Sequence, residues 1–378
     1  LFYFEAQRRV ALAQSATYRD RAAYAKQAED LADALREHGA GRHVHVVVLE
    51  SFIDPTLFKG VQYSRDPRHP AYVALFGKNV GYSLSPVFGG GTAQAEFEVL
   101  CGVPAFHALS SIEFNAFTGA PAYCMPGLLK EAGYRTLASN AYKPNFFNAI
   151  KAYTGIGFSE AYFPTEYASQ RNSYISAAEV PPGEQYLFDG ELFAQNLDFI
   201  GKAIQENPGR PILNYVLSMY GHFPHTMDPQ LRPRVLSMTA KHRDEQLLLA
   251  ANQHYYRTEA IAAYVRKLSE LDPKSLIVLI SDHLPPLEDG TGSYKRLGYL
   301  ANIEDSTFYN RILVVEDGKP RRYRNLHHFD VPSIVFNYLT DGWYCKNYEC
   351  NLLRTTRERA GYYERYMRLM AHAVETQP

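Results

Sequence analysis

The sequence predicts an α/β fold: a mostly parallel central sheet flanked by helices, with a smaller α+β subdomain at the C-terminal end. Three observations predict it. The runs "VHVVVLE" (44–50), "RPILNYVLSM" (210–219) and "KSLIVLISDH" (274–283) are continuously apolar rather than alternating, as in strands covered on both faces. Helix-like segments near 95–101, 126–132, 190–206 and 242–271 lie between and beside them. After about residue 300 the texture changes to a hairpin-like and then a basic helical pattern.

In chain order, residues 5–38 are rich in Ala, Arg, Gln and Glu with few breakers, which predicts an amphipathic helix. This helical lead-in occupies 1–41, the α/β domain 42–300 and the C-terminal subdomain 301–378. In the last of these, "NRILVVEDGKPRRYR" reads as a hairpin turning at Asp317-Gly318. "FDVPSIVFNYL" suits a strand or a short helix, and a basic helix is expected near 354–374.

Basic and acidic residues number 39 and 40 and are well mixed, which argues against a nucleic-acid stripe or a tail for an anionic membrane. The abundant Tyr and Phe read first as core. No apolar run reaches the length of a membrane span, and the chain begins at Leu1 with no signal-peptide pattern. The expectation is a soluble piece of a protein whose membrane or targeting segment lies elsewhere. Four cysteines, Cys101, Cys124, Cys345 and Cys350, fit either disulfides or buried thiols; the short gap between Cys345 and Cys350 is one a disulfide can close.

The chemistry-bearing residues sit at strand ends. Glu50 closes the first apolar run, and Asp282-His283 close the third. Ligands of open α/β sheets gather beyond the carboxyl ends of the strands, so these residues are expected to share a crevice. Glu, Asp and His together suit a divalent transition metal. Thr92, in "GGGTAQAEF" (89–97), supplies a hydroxyl at the start of a helix, after three glycines that permit positive φ. The free N–H groups and dipole there favour an anion, and a base or a metal can activate the hydroxyl. No GxxxxGK[ST] surrounds it, so a P-loop is not expected. His222 and His225, in "SMYGHFPHT", follow the second run on a Gly/Pro-punctuated loop and suit anion binding or proton transfer. His327-His328 read as structural.

Taken in order, these segments resemble the alkaline phosphatase superfamily, and within it the lipoteichoic acid synthase-like, sulfatase-type phosphoglycerol and phosphoethanolamine transferases. The resemblance runs over roughly 42–340 through "VHVVVLESF", "GGGTAQAEFEVLCG", "MYGHFPH", "ISDHLPP" and "FDVPSIVFNYL". It implies one divalent ion, Mn2+ with Zn2+ or Mg2+ as alternatives, held by Glu50, Thr92, Asp282 and His283. It also implies that Thr92 attacks a phospholipid donor and passes the head group, phosphoglycerol before phosphoethanolamine, to a glycan acceptor, with His222, His225 and Asn148 at the substrate. It implies an extracytoplasmic domain of a membrane-anchored protein, in which the cysteines would be paired. Hydrolysis of the same phosphodiesters, or a catalytically inactive glycan-binding domain, are the alternatives. The family's phosphate-contacting Arg is replaced by Ala149 in "YKPNFFNAIKAY", with Lys143 or Arg171 as candidate substitutes. "CMPGL" (124–128) lacks the Arg of the formylglycine motif, so sulfate-ester hydrolysis is disfavoured.

Overall fold

A computed structural model describes residues 13–108, 112–324, 326–348, 350, 352 and 361–375. Its strands are β1 (Val44–Leu49), β2 (Val61–Tyr63), β3 (Val80–Leu84), β4 (Arg135–Asn140), β5 (Glu160–Tyr162) and β6 (Ile212–Leu217). They continue with β7 (Met238–Ala240), β8 (Leu276–Ser281), β9 (Tyr309–Glu316), β10 (Lys319–Arg321) and β11 (Leu326–His327). The main sheet runs β11-β3-β9-β8-β1-β6-β4-β5, with β10 attached to β9. Its centre, β8-β1-β6-β4-β5, is parallel, whereas β9 is antiparallel to both β8 and β3. β2 and β7 pair separately.

The three apolar runs became β1, β6 and β8, each buried along its whole length. Alternation explains why they carry no polar face. Val44, Val46 and Val48 pack into one apolar layer, while Val47 and Leu49 pack into the opposite one. The first layer is covered by α1 (Arg21–His38), α2 (Thr92–Cys101), α3 (Met125–Glu131) and α4 (Ala149–Gly155). The second is covered by α5 (Asp189–Glu206) and α6 (Glu245–Leu271). α7 (Val331–Leu339) and α8 (Tyr362–Ala373) return to the first layer.

Some boundaries moved. The lead-in is helical at 13–15 and Ala16–Tyr18, breaks at Arg19-Asp20 and restarts at Arg21, where Asp20 caps the long helix by accepting from Ala23 N; residues 1–12 lie outside the described chain. "VPSIVFNYL" is helical, with Pro332 in the first turn, where a missing N–H does no harm. The last helix starts at Tyr362, and 353–360 lie outside the described residues. The expected hairpin is present, turning at Asp317-Gly318. It does not open a separate sheet, however. β9 lies between β3 and β8, and α7 shares the layer that holds Val46 and Val48. The C-terminal α+β segment is thus continuous with the central sheet. The register rewards this: Leu313 and Val315 extend the α5/α6 layer, and Ile312 and Val314 the other. All four cysteines are paired, Cys101 with Cys124 and Cys345 with Cys350. Among the described residues no helix is long and apolar enough to cross a membrane.

Candidate active site

The site lies at the carboxyl edge of β1 and β8. These adjacent parallel strands pair from Val44–Leu276 to Leu49–Ser281, so the residues that follow them, Glu50 and Asp282-His283, emerge side by side. Ser51 takes a left-handed φ of 48°, a costly conformation for a side-chain-bearing residue, and sends its N–H to Asp282 Oδ1 at 2.7 Å. The Ser51 hydroxyl donates to Glu50 Oε1 at 2.8 Å. His283 N also donates to Asp282 Oδ1, at 2.6 Å.

Thr92 is the first residue of α2. Gly89, Gly90 and Gly91 all have positive φ (72°, 149° and 86°), a run that L side chains rarely adopt. This corner delivers Thr92 Oγ1 to Glu50 Oε2, to which it donates at 3.0 Å, and to within 3.4 Å of His283 Nε2. His283 Nδ1 faces Leu284 O at 3.1 Å; a proton there leaves Nε2 as the free lone pair. Nε2 is 3.3 Å from Asp282 Oδ2 and 3.7 Å from Glu50 Oε1.

The electrostatics follow from burial. Asp282 is pushed up to about 6 by loss of water and by the Glu50 carboxylate. Burial pulls His283 down, yet Asp282 and Glu50 outweigh it and raise it above its ordinary value. Among the described residues, no group hydrogen-bonds to the buried Asp282 Oδ2. Ligand atoms of Glu50, Asp282 and His283 lie within 4.8 Å of one another. Two carboxylates and an imidazole converging on one point, with an orphaned carboxylate oxygen among them, fit a divalent cation. A bound cation would reverse the local charge balance and hold both carboxylates ionised.

His222 lines the same pocket as Thr92 and His283, its Nδ1 3.4 Å from the Tyr186 hydroxyl. Burial keeps it below its ordinary value. The expected substrate residues His225 and Asn148 are placed elsewhere. His225 is buried against Gln253, Nδ1 to Oε1 2.9 Å, and pushed down to about 4 by burial. Asn148 spends its amide on the carbonyls of Phe114 and Phe117, at 2.8 Å each, so it braces the pocket wall. Ala149 does line the pocket, together with Phe114, Tyr142, Phe146 and Phe147. Lys143 instead lies over the Tyr142 and Tyr167 rings. His328, read as structural, bonds Ser83 Oγ and the Ser281 and Asp282 carbonyls, bracing the end of β8.

Sequence reasoning missed Glu96, which lines the pocket one helical turn beyond Thr92. Its spacing of four from Thr92 was the available signal.

The fold is the mostly parallel α/β fold of alkaline phosphatase- and sulfatase-like proteins, and the site sets the Thr92 hydroxyl beside a carboxylate-imidazole cluster. The chain belongs to the sulfatase family: the family model described as Sulfatase matches residues 42–339. It is 26% identical over 271 residues to a "Putative cyclic beta-1,2-glucan modification protein" of Rhizobium meliloti (strain 1021), covering 70% of this chain and 39% of that protein. The chain thus spans about two-fifths of that relative's length. Its fold matches the Streptococcus pyogenes phosphoglycerol transferase GacH, solved with sn-glycerol-1-phosphate, at TM-score 0.67 and 19% identity, covering 93% of this chain and 91% of that one. It also matches the lipoteichoic acid synthase LtaP from Listeria monocytogenes at TM-score 0.62 and 17% identity, covering 83% and 78%.

Proposed function

We propose that this chain transfers a phospholipid-derived head group to a cell-envelope glycan through a covalent phospho-threonine at Thr92. The observation that carries this reading is the convergence of Thr92 Oγ1 on Glu50 and His283 beside the unpartnered Asp282 Oδ2. Glu50, Thr92, Asp282 and His283 would hold the cation, taken to be Mn2+. A divalent ion there lowers the pKa of a hydroxyl and polarises a phosphoryl oxygen.

The protein's own groups then do the following. The backbone at Gly89–Gly91 sets Thr92 Oγ1 toward the phosphorus, and its proton is directed at Glu50. The Oγ–P bond forms as the bond from phosphorus to the diacylglycerol oxygen breaks, that oxygen leaving with the proton Thr92 gave up. His222, whose pKa burial lowers, is suited to take the proton from the acceptor hydroxyl in the second half-reaction. That hydroxyl displaces Thr92 Oγ1 from phosphorus; the released alkoxide takes up one proton as His222 gives up the one it took, so threonine and histidine both return to their starting states.

The glycan acceptor is supported by the relative named for glucan modification, and phosphoglycerol by the shared fold of GacH and LtaP. Both cysteine pairs suit an oxidising compartment, which supports an extracytoplasmic reading; membrane tethering of the full-length protein is part of the same proposal. The test is mass spectrometry of the domain incubated with phosphatidylglycerol or phosphatidylethanolamine and Mn2+. An adduct on Thr92 is expected, its mass naming the head group. Thr92→Ala should lose the adduct and at least 1,000-fold in turnover, on the order of 4 kcal/mol, at unchanged melting temperature. Normal turnover by that variant would reject the mechanism.

A further inference from the structure

The pocket at Thr92 has a volume of about 150 Å³, the scale of a small head group rather than a drug-sized ligand. Phe114, Tyr142, Phe147, Leu217 and Met219 make much of its wall apolar, and Glu96 sets a carboxylate into it. Glu96 is 4% exposed and lies four residues along α2 from Thr92, on the same helical face, roughly 6 Å down the axis.

The way Glu96 is held separates it from an ordinary buried carboxylate. Tyr153 of α4 and Tyr215 of β6 both donate to the same oxygen, Oε1, at 2.6 and 2.7 Å. Asn140 Nδ2 donates to the Tyr153 hydroxyl at 3.0 Å, so that hydroxyl's one proton is committed to Glu96. The Tyr142 N–H in turn fixes Asn140 by donating to Oδ1 at 2.9 Å. Among the described residues no donor reaches Oε2. By contrast, Glu98, on the same helix and also buried, accepts from the backbone N–H of Ala105 and does not line this pocket. Four elements therefore cooperate to orient one carboxylate whose second oxygen is left for something that enters.

We propose that Glu96 is the head-group-recognising residue. With the phosphorus at Thr92 Oγ1, Glu96 Oε2 accepts hydrogen bonds from donors at the far end of the transferred group, the hydroxyls of a glycerol or the ammonium of an ethanolamine. The position of the phosphorus rests on the transferase reading above; the carboxylate and its tyrosine frame do not. Tyr153, Tyr215 and Asn140 are positioning residues, acting through Glu96.

The test is calorimetric titration of the Mn2+-loaded protein with glycerol 1-phosphate, phosphoethanolamine and inorganic phosphate. Wild type is expected to bind one organic phosphate more tightly than inorganic phosphate. Glu96→Gln keeps the shape and the acceptor for both tyrosines, so its melting temperature should match wild type. It should weaken the preferred organic phosphate about tenfold or more, the scale of a lost charge-assisted hydrogen bond, and leave inorganic phosphate unchanged. Tyr153→Phe should give a smaller loss of the same pattern. Which organic phosphate loses affinity identifies the donor as hydroxyl or ammonium. The assignment is overturned if inorganic phosphate weakens in parallel, if no ligand changes, or if wild type prefers neither organic phosphate. A Glu96-dependent preference without any Thr92 adduct would instead reject the transferase reading alone.

Discussion

Asp54 and Asp282 are buried aspartates just past neighbouring strands, β1 and β8, and their surroundings drive them in opposite directions. Burial alone pushes Asp54 up, but Arg311, then His254, and hydrogen bonds from Thr56 and Arg311 bring it down to about 2. Arg311 Nε reaches Asp54 Oδ2 at 2.8 Å, and its guanidinium lies over the Tyr82 ring. Asp282 has Glu50 for a neighbour and one histidine for relief, and it rises to about 6. Glu184 and Asp189 are likewise bonded to buried arginines, Arg232 and Arg257. Asp54, Glu184 and Asp189 thus have guanidinium partners, whereas among the described residues the one ionisable basic group beside Glu50 and Asp282 is His283. A carboxylate pair left short of positive charge in a buried crevice is what a cation site requires.

The largest effect that would sharpen this contrast is at Asp282. Asp282→Asn is expected to cost at least 1,000-fold in turnover, about 4 kcal/mol, while the metal-free protein keeps or gains stability by shedding a strained charge. Unchanged turnover with bound Mn2+ would break the comparison. Next is Arg311→Met, which strands Asp54 in the core and should cost about 3–5 kcal/mol in urea unfolding. Adding Asp54→Asn should recover much of that loss; a double variant no better than the single would show that Arg311 serves packing instead. The smallest effect is in acid. Because Asp54 is depressed in the fold, its contribution is present above its unfolded pKa of about 4 and lost as pH falls toward about 2. That contribution is about 2 kcal/mol, and Asp54→Asn should flatten this limb of a stability-pH curve. An unchanged limb would place the acid sensitivity elsewhere.

What was legible in the sequence was whatever local pattern dictates. β1, β6 and β8 announced themselves because a strand covered on both faces has no polar period to confuse the reading. Their ends therefore located Glu50, Asp282 and His283, and the glycine run located Thr92. The rest depended on partners distant in sequence. Cys101, at the end of α2, meets Cys124, just before α3, through the way both helices pack, which their sequence separation of 23 does not reveal. The hairpin strand β9 joined the main sheet because its two faces match two apolar layers, which no local pattern reports. His225 looked like a loop histidine, but Gln253, 28 residues away on α6, receives it in the interior. Glu96 sat within an apparently polar run, and only Tyr153 and Tyr215 show that this run faces inward.

Gly91, the residue that caps α2, carries no side chain to accept from the helix's first N–H groups. A serine or aspartate at such a position is typically worth about 1 kcal/mol to a helix. At Gly91 it would also crowd the Gln94 side chain, which occupies the space a Cβ there would need. The helix that bears Thr92 thus begins without a side-chain cap, with the Gln94 N–H turned back to the Gly91 carbonyl. On the proposed reading, a phosphoryl group at Thr92 would supply the acceptor that Gly91 lacks, so part of the affinity for substrate would come from completing the helix.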